Sequence, residues 1–285
     1  MSEPNYVWAD RHVTDTSRHR LGILTRIVTP RIAPTLSVLW ELARQAGGIF
    51  PETWNRFLFR RFWGDGISST ETYLVIDNYE DVRLRNRFRW ADSSKELRTE
   101  CAEAIVQGTF SPQAAAMLSA LFLRHTGKVL RIATDAEVVH KRDATLICYG
   151  TSDFNFKTYE IEAWSGSDLC QFSFNESGER AFRLGGQLHS IEIRDGITYD
   201  KAMILRLNGQ PAPRHCQVVC AGLSEWGSLA AVHYLTKKWK VLQRRFDRFG
   251  QRRDFCVLLE LQRGQFENAR EVASAVLWEP RVARE

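Results

Sequence analysis

No Cys-x-x-Cys pair occurs in the 285-residue chain, although it has six cysteines (Cys101, Cys148, Cys170, Cys216, Cys220 and Cys256). That absence excludes the common zinc-ribbon and thioredoxin-type motifs. The thiols are scattered through apolar segments and read as buried and reduced, which fits a cytoplasmic protein. Cys216 and Cys220 share a strand face beside His215. Structural zinc uses closer ligand spacing and more ligands, so no metal is assigned. The start, Met-Ser-Glu-Pro-Asn-Tyr, lacks a basic region followed by an apolar core, so no secretory leader is expected. The most apolar stretch, 21–43, is interrupted by Arg26, Pro30, Arg31 and Pro34, which makes it a poor membrane span. Repeats and low-complexity segments are absent. Charge is nearly balanced, with 39 Lys and Arg against 34 Asp and Glu. The net +5 suits an anionic ligand or partner but does not by itself define a nucleic-acid-binding protein. RRM, KH, zinc-finger and helix-turn-helix signatures are also missing.

What remains is an ordinary globular composition, 44% hydrophobic and 26% charged, long enough for one large core or two modest ones. Sixteen Phe and nine Trp make much of that core aromatic. Residues 1–20 read as a loose polar arm. Helical spacing of apolar residues predicts helices over 35–46, 51–63, 95–106 and 112–123, with one strand at 73–76. From about residue 127 short runs rich in Ile, Val, Phe and Leu take over. They predict strands at 129–133, 144–149, 170–174, 190–193, 202–207, 217–221 and 255–261. Helices are expected at 226–249 and 268–275. The predicted class is α/β, a Rossmann-like mixed, centrally parallel sheet at 127–285 behind a mainly helical region at 1–126.

Two loops have residues suited to ligand chemistry. The first is Gly150-Thr151-Ser152-Asp153-Phe154-Asn155, at the end of an apolar run where open α/β sheets place ligands. Asp153 can accept from ribose hydroxyls or act as a base; Thr151, Ser152 and Asn155 can hold phosphate or polarise a glycosidic oxygen. The same residues also suit a capped turn. The second is Gly222-x4-Gly227-Ser228, between an apolar strand and an Ala/Leu-rich helix. The first turn of such a helix offers unpaired N–H groups and a positive dipole end. The glycine spacing is that of a P-loop, but no lysine precedes Ser228, which argues against triphosphate hydrolysis. Glu225 either stabilises the helix start or faces the ligand, where it would favour a ribose over bare phosphate. Between the loops, Asp200 and Asn208 bracket a strand and are candidates for the same cleft.

Two basic stretches stand apart. The first is Arg83, Arg85, Arg87 and Arg89; the second, within 237–253, includes Lys237, Lys240, Arg244 and Arg245. Together they define a candidate nucleic-acid or polyanion surface, against the plainer reading of a solvated helix face.

Three of these segments carry a family resemblance. The Gly150 to Asn155 loop, the strand from Tyr199-Asp200 to Asn208, and the run Ala221-Gly222 through Gly227-Ser228 to Ala231 resemble a set of uncharacterised bacterial Rossmann-like domains over roughly 128–262. Ser228 replaces the commoner threonine, and the first loop lacks the usual Gly-Gly-Pro. More distantly, these segments resemble the TIR, SLOG and nucleoside deoxyribosyltransferase-like modules of anti-phage systems. That resemblance implies a nucleotide-handling protein of a defence or signalling system. It would bind NAD or a related ribonucleotide as ligand, need no cofactor, and cleave the N-glycosidic bond if it is an enzyme. The alternatives are a non-enzymatic nucleotide sensor that engages a protein partner or its own copy, and a basic nucleic-acid-binding accessory protein.

Overall fold

The computed structural model describes residues 49–68, 71–76, 110–165, 170–209, 214–247 and 252–276. The chain divides into compact units at 1–53 and 54–285, and the site lies in the second. The boundary expected at 126/127 falls inside that second unit. The expected helices at 35–46 and 95–106 lie outside the described residues.

In chain order the elements are α1 (Ile49–Trp63), β1 (Thr72–Ile76), α2 (Phe110–Thr126), β2 (Arg131–Thr134), β3 (Thr145–Tyr149), α3 (Phe156–Ser165), β4 (Cys170–Phe174), β5 (Arg180–Leu184), β6 (Gln187–Ser190), β7 (Glu192–Arg194), β8 (Ile197–Asn208), β9 (Cys216–Gly222), α4 (Glu225–Phe246), β10 (Phe255–Gln262) and β11 (Arg270–Val276). The main sheet runs β11-β10-β8-β9-β3-β1-β2, with β7 paired to β8. Strands β2, β1, β3 and β9 are mutually parallel. Strands β8, β10 and β11 extend the sheet antiparallel. This is the expected Rossmann-like, centrally parallel α/β sheet. A second sheet, β4-β5-β6, is an antiparallel meander.

The central strands β3, β9 and β10 are buried on both faces, so they read as unbroken apolar runs without alternation. On β9, Val218 and Cys220 join one core with Phe59, Phe62, Leu118, Phe122 and Trp239 from α1, α2 and α4. Val219 and Ala221 join the other, with Ile161 of α3 and Phe172, Phe182 and Leu184 of the meander. No helix among the described residues is long and apolar enough to cross a membrane.

Two expectations are corrected. The helix predicted at 268–275 is strand β11, whose residues pair with 255–260 of β10. Open hydrogen-bonding groups on β10 outweigh the weak helical preference of Arg270, Glu271 and Ala273. The strand predicted at 190–193 is instead two short strands, β6 and β7, with a break at Ile191.

Arg206 lies wholly buried on β8 between the rings of Phe62 and Phe255, its guanidinium carbon 4.6 Å from each. It forms an ion pair with Asp247, which closes α4 and is equally shielded. It also donates to the Arg253 carbonyl at 3.0 Å and the Phe62 carbonyl at 3.4 Å.

A second charged cluster sits on the opposite face of β8. Buried Lys201 meets Glu260 at 2.6 Å and Glu192 at 2.8 Å, while Arg270 reaches Glu260 at 2.8 Å and Arg194 joins it. Burial alone would push the Glu260 carboxyl up, but hydrogen bonds from Lys201, Arg270 and Arg194 outweigh it and hold it at about 2. A folded value below the ordinary 4.5 gives stability that is present above that pH and lost as pH falls toward 2. Thermal melts of the protein should therefore drop steeply across that window, and those of Glu260→Gln should drop less. Parallel curves would show that the cluster does not set acid stability.

Candidate functional site

The crevice between β1 and β3 is where chain direction switches, since β2 lies to one side and β9 to the other. Such switch points are the usual ligand sites of open α/β sheets. Here Asn155 fills it. Its amide donates to the Val75 and Tyr149 carbonyls, both at 3.2 Å, bridging the two strand ends. Its Oδ1 accepts from the N–H groups of Lys157 at 3.0 Å and Thr158 at 3.1 Å, which caps α3. All four hydrogen-bonding positions of the side chain are thus engaged within the fold. The remaining candidate residues lie beside it, at the carboxyl ends of β3 and β9.

There the first loop is drawn into a latch. Gly150 leaves β3 with φ 103°, a conformation that favours glycine, and its N–H donates to the Cys220 carbonyl at 3.0 Å. Thr151 donates to Asp153. Arg180, from β5, donates to Thr151 Oγ1 at 2.6 Å and to both Asp153 oxygens at 2.9 Å. Its other terminal nitrogen, Nη1, donates to the Leu223 carbonyl at 2.8 Å, just past β9. The guanidinium packs over Phe154 and Phe172, at 4.9 and 5.2 Å from the ring centres. One arginine therefore ties the first loop to the second. Ser152 is buried in the same turn.

The second loop is held from beneath by Asp200 of β8. The Asp200 carboxylate accepts from the Ser224 hydroxyl and from the N–H of Gly227 at 3.1 Å, within the first turn of α4. Burial raises its pKa, and the bonds from Ser224, Lys201 and Gly227 and the charge of Arg180 oppose that rise. Ser228 Oγ accepts the N–H of Gly222 at 2.9 Å. The two glycines pack face to face. A Cβ on Gly227 would stand 2.8 Å from Gly222 Cα and 2.8 Å from the Lys201 carbonyl. A Cβ on Gly222 would fall among the backbone atoms of Gly227 and Ser228. The P-loop-like spacing is therefore explained by close approach of a strand end to a helix start.

Glu225 differs from its neighbours. It opens α4, is half-buried, and makes no hydrogen bond or ion pair with a described residue. Burial raises its pKa.

Most of the predicted site residues gather here: Gly150, Thr151, Ser152, Asp153, Asn155, Asp200, Gly222, Glu225, Gly227 and Ser228. Asn208 does not. It closes β8 at the other end, eight residues from Asp200, or about 26 Å in an extended strand. There its amide donates to the Arg253 carbonyl at 2.9 Å. Of the predicted polyanion residues, Arg85 and Arg87 lie outside the described residues. Lys240 bonds to Asn55 at 2.7 Å, and Arg245 bonds to Glu271 at 2.6 Å and Ser274 at 2.8 Å. Lys237 and Arg244 point to solvent from α4. Among the described residues no cluster of three or more His, Cys, Asp or Glu is placed to hold a metal ion. Burial pushes the Cys216 thiol up to about 12, far from thiolate chemistry at neutral pH.

A cavity of about 410 Å³ lies elsewhere, at the amino ends of β1 and β2, against Ile67, Phe122 and Leu130. It shares no lining residue with the two loops. Sequence reasoning missed Arg180, because a lone arginine on an unrecognised strand carries no local signal. It also missed Ser224, which sits in the cap position before α4 but gives its hydroxyl to Asp200 instead of to the helix N–H groups.

Comparison with family models, curated proteins and solved structures returned no match.

Proposed function

We propose that the protein binds NAD or a related ribonucleotide at the carboxyl ends of β3 and β9, with Glu225 as the group that meets the ribose. The observation carrying this reading is the half-buried Glu225 carboxylate, unengaged by any described residue, at the start of α4. A desolvated carboxylate accepts ribose hydroxyls and stabilises positive charge that develops at the anomeric carbon. Asp153 and Asp200 hold the loops in place, and Glu225 acts on the ligand. The resemblance to NAD-handling modules supports the same ligand class. Purified protein should bind NAD in calorimetry and release nicotinamide. Glu225→Gln should keep affinity within a few-fold and slow release by roughly a hundredfold or more, the pattern of a group acting in the transition state. Equal rates in both proteins would reject the role of Glu225, and absence of binding would reject the ligand.

A binding-only reading has its own observation: Asp153 and Asp200 are both saturated by partners within the fold. NAD bound without release of nicotinamide would establish it.

A further inference from the structure

Ile193 is the most exposed of the large hydrophobic residues among those described, at 74%. It sits at the centre of β7, a three-residue edge strand with every residue exposed. β7 turns into β8 through Asp195 and Gly196, whose φ values are 53° and 76°. A two-residue turn with both φ positive closes on a hydrogen-bonded pair, here Arg194 and Ile197. The next pair, Ile193 and Thr198, is then of the non-hydrogen-bonded kind. Its peptide groups point away from each other. On the β8 side this is visible, because the Thr198 carbonyl accepts from Arg263 N–H at 2.9 Å on the strand's far edge. On the β7 side the N–H and C=O of Ile193 point outward, and no described residue bonds to them.

We propose that β7 pairs with β7 of a second copy of this chain, antiparallel about a two-fold axis at Ile193. Centring on Ile193 makes it a hydrogen-bonded pair with the partner's Ile193, exchanging both outward N–H···O bonds. The same register sets Glu192 against the partner's Arg194, and Arg194 against the partner's Glu192. Side-chain alternation within β7 puts Ile193, a narrow apolar stripe, on one face of the joined ribbon and the charges on the other. The apolar stripe meets its copy and the charges meet their opposites, which is the self-complementarity a two-fold interface requires. Short charged edge strands normally repel pairing. Here charges of opposite sign flank a single isoleucine, so they match this chain's own copy while opposing unrelated strands. Glu192 and Arg194 are themselves half-exposed; they already meet buried Lys201 and Glu260, and their outer sides stay open to share with the partner's charges.

The test is sedimentation equilibrium of the full chain between about 1 and 200 µM, a range that resolves micromolar association. The weight-average mass should rise from 32.8 kDa toward twice that value. Ile193→Pro removes the outward N–H without touching the β7–β8 ladder, and Ile193→Lys solvates the stripe. Each should weaken association by about tenfold or more, with melting curves like the parent's. A parent that stays monomeric overturns the proposal, whether or not it captures other proteins. So does a dimer that both variants form equally well. Neither outcome depends on nucleotide binding at Glu225.

Discussion

Gly222→Ala should leave little folded protein. The added methyl would lie among the backbone atoms of Gly227 and Ser228, which are the first turn of α4. Flexible side chains yield to such a group; helix backbone does not. To make room, α4 must lift from β9, which breaks the bonds of Asp200 to Gly227 and of Ser228 to Gly222 and loosens the core contacts of Leu229, Val232 and Leu235. The expected loss is on the order of 4 kcal/mol or more, beyond ordinary overpacking. Gly264→Ala is the control. Gly264 has φ 88° with nothing within 4 Å of an added Cβ, so it should lose only about 1 kcal/mol, from backbone strain. Urea midpoints and soluble yield separate the two. A Gly222 variant as stable as the Gly264 variant would mean that strand and helix are not packed as described.

The other large effect concerns Asp247. Replacing it with asparagine keeps shape and removes the charge opposite Arg206, which is buried between two phenylalanine rings. The remaining partners of Arg206 are two main-chain carbonyls and the amide. An ion left without its counter-charge in such a setting costs about 3–5 kcal/mol. The double variant Arg206→Met with Asp247→Leu should be less damaged than the single change, because it removes both charges instead of stranding one. Denaturation midpoints of the three proteins decide this; a single variant within 1 kcal/mol of the parent, on the order of an exposed pair, would place the pair in water.

The centre of the fold was legible because burial on both faces leaves a strong mark. Runs such as 145–149 and 217–221 have no polar alternation, and the structure places both in the parallel core. Helix α4 announced itself through its length and the glycines before it, although it ends at Phe246, short of the expected 249. Short elements were harder. Helix α3 has ten residues, and its start depends on Asn155, which reads equally well as a ligand-binding loop residue. Asp200 and Asn208 flank one apolar run and so group together in the sequence, yet a strand separates its own ends by its full length. The contribution of Arg180 depends on the β4-β5-β6 meander folding back over the sheet, a long-range event with no local pattern.

Sheet order also bears on how the chain assembles. From β8 onward each strand pairs with one close in sequence: β8 with β9, and β10 with β11. Helix α4 lies on the strands it connects. This carboxyl-terminal stretch closes short loops and can order early at small entropic cost. β1 is synthesised first but slots between β2 and β3, far downstream. The emerging chain must therefore hold β1 unpaired until β2 and β3 have followed, about halfway along its 285 residues.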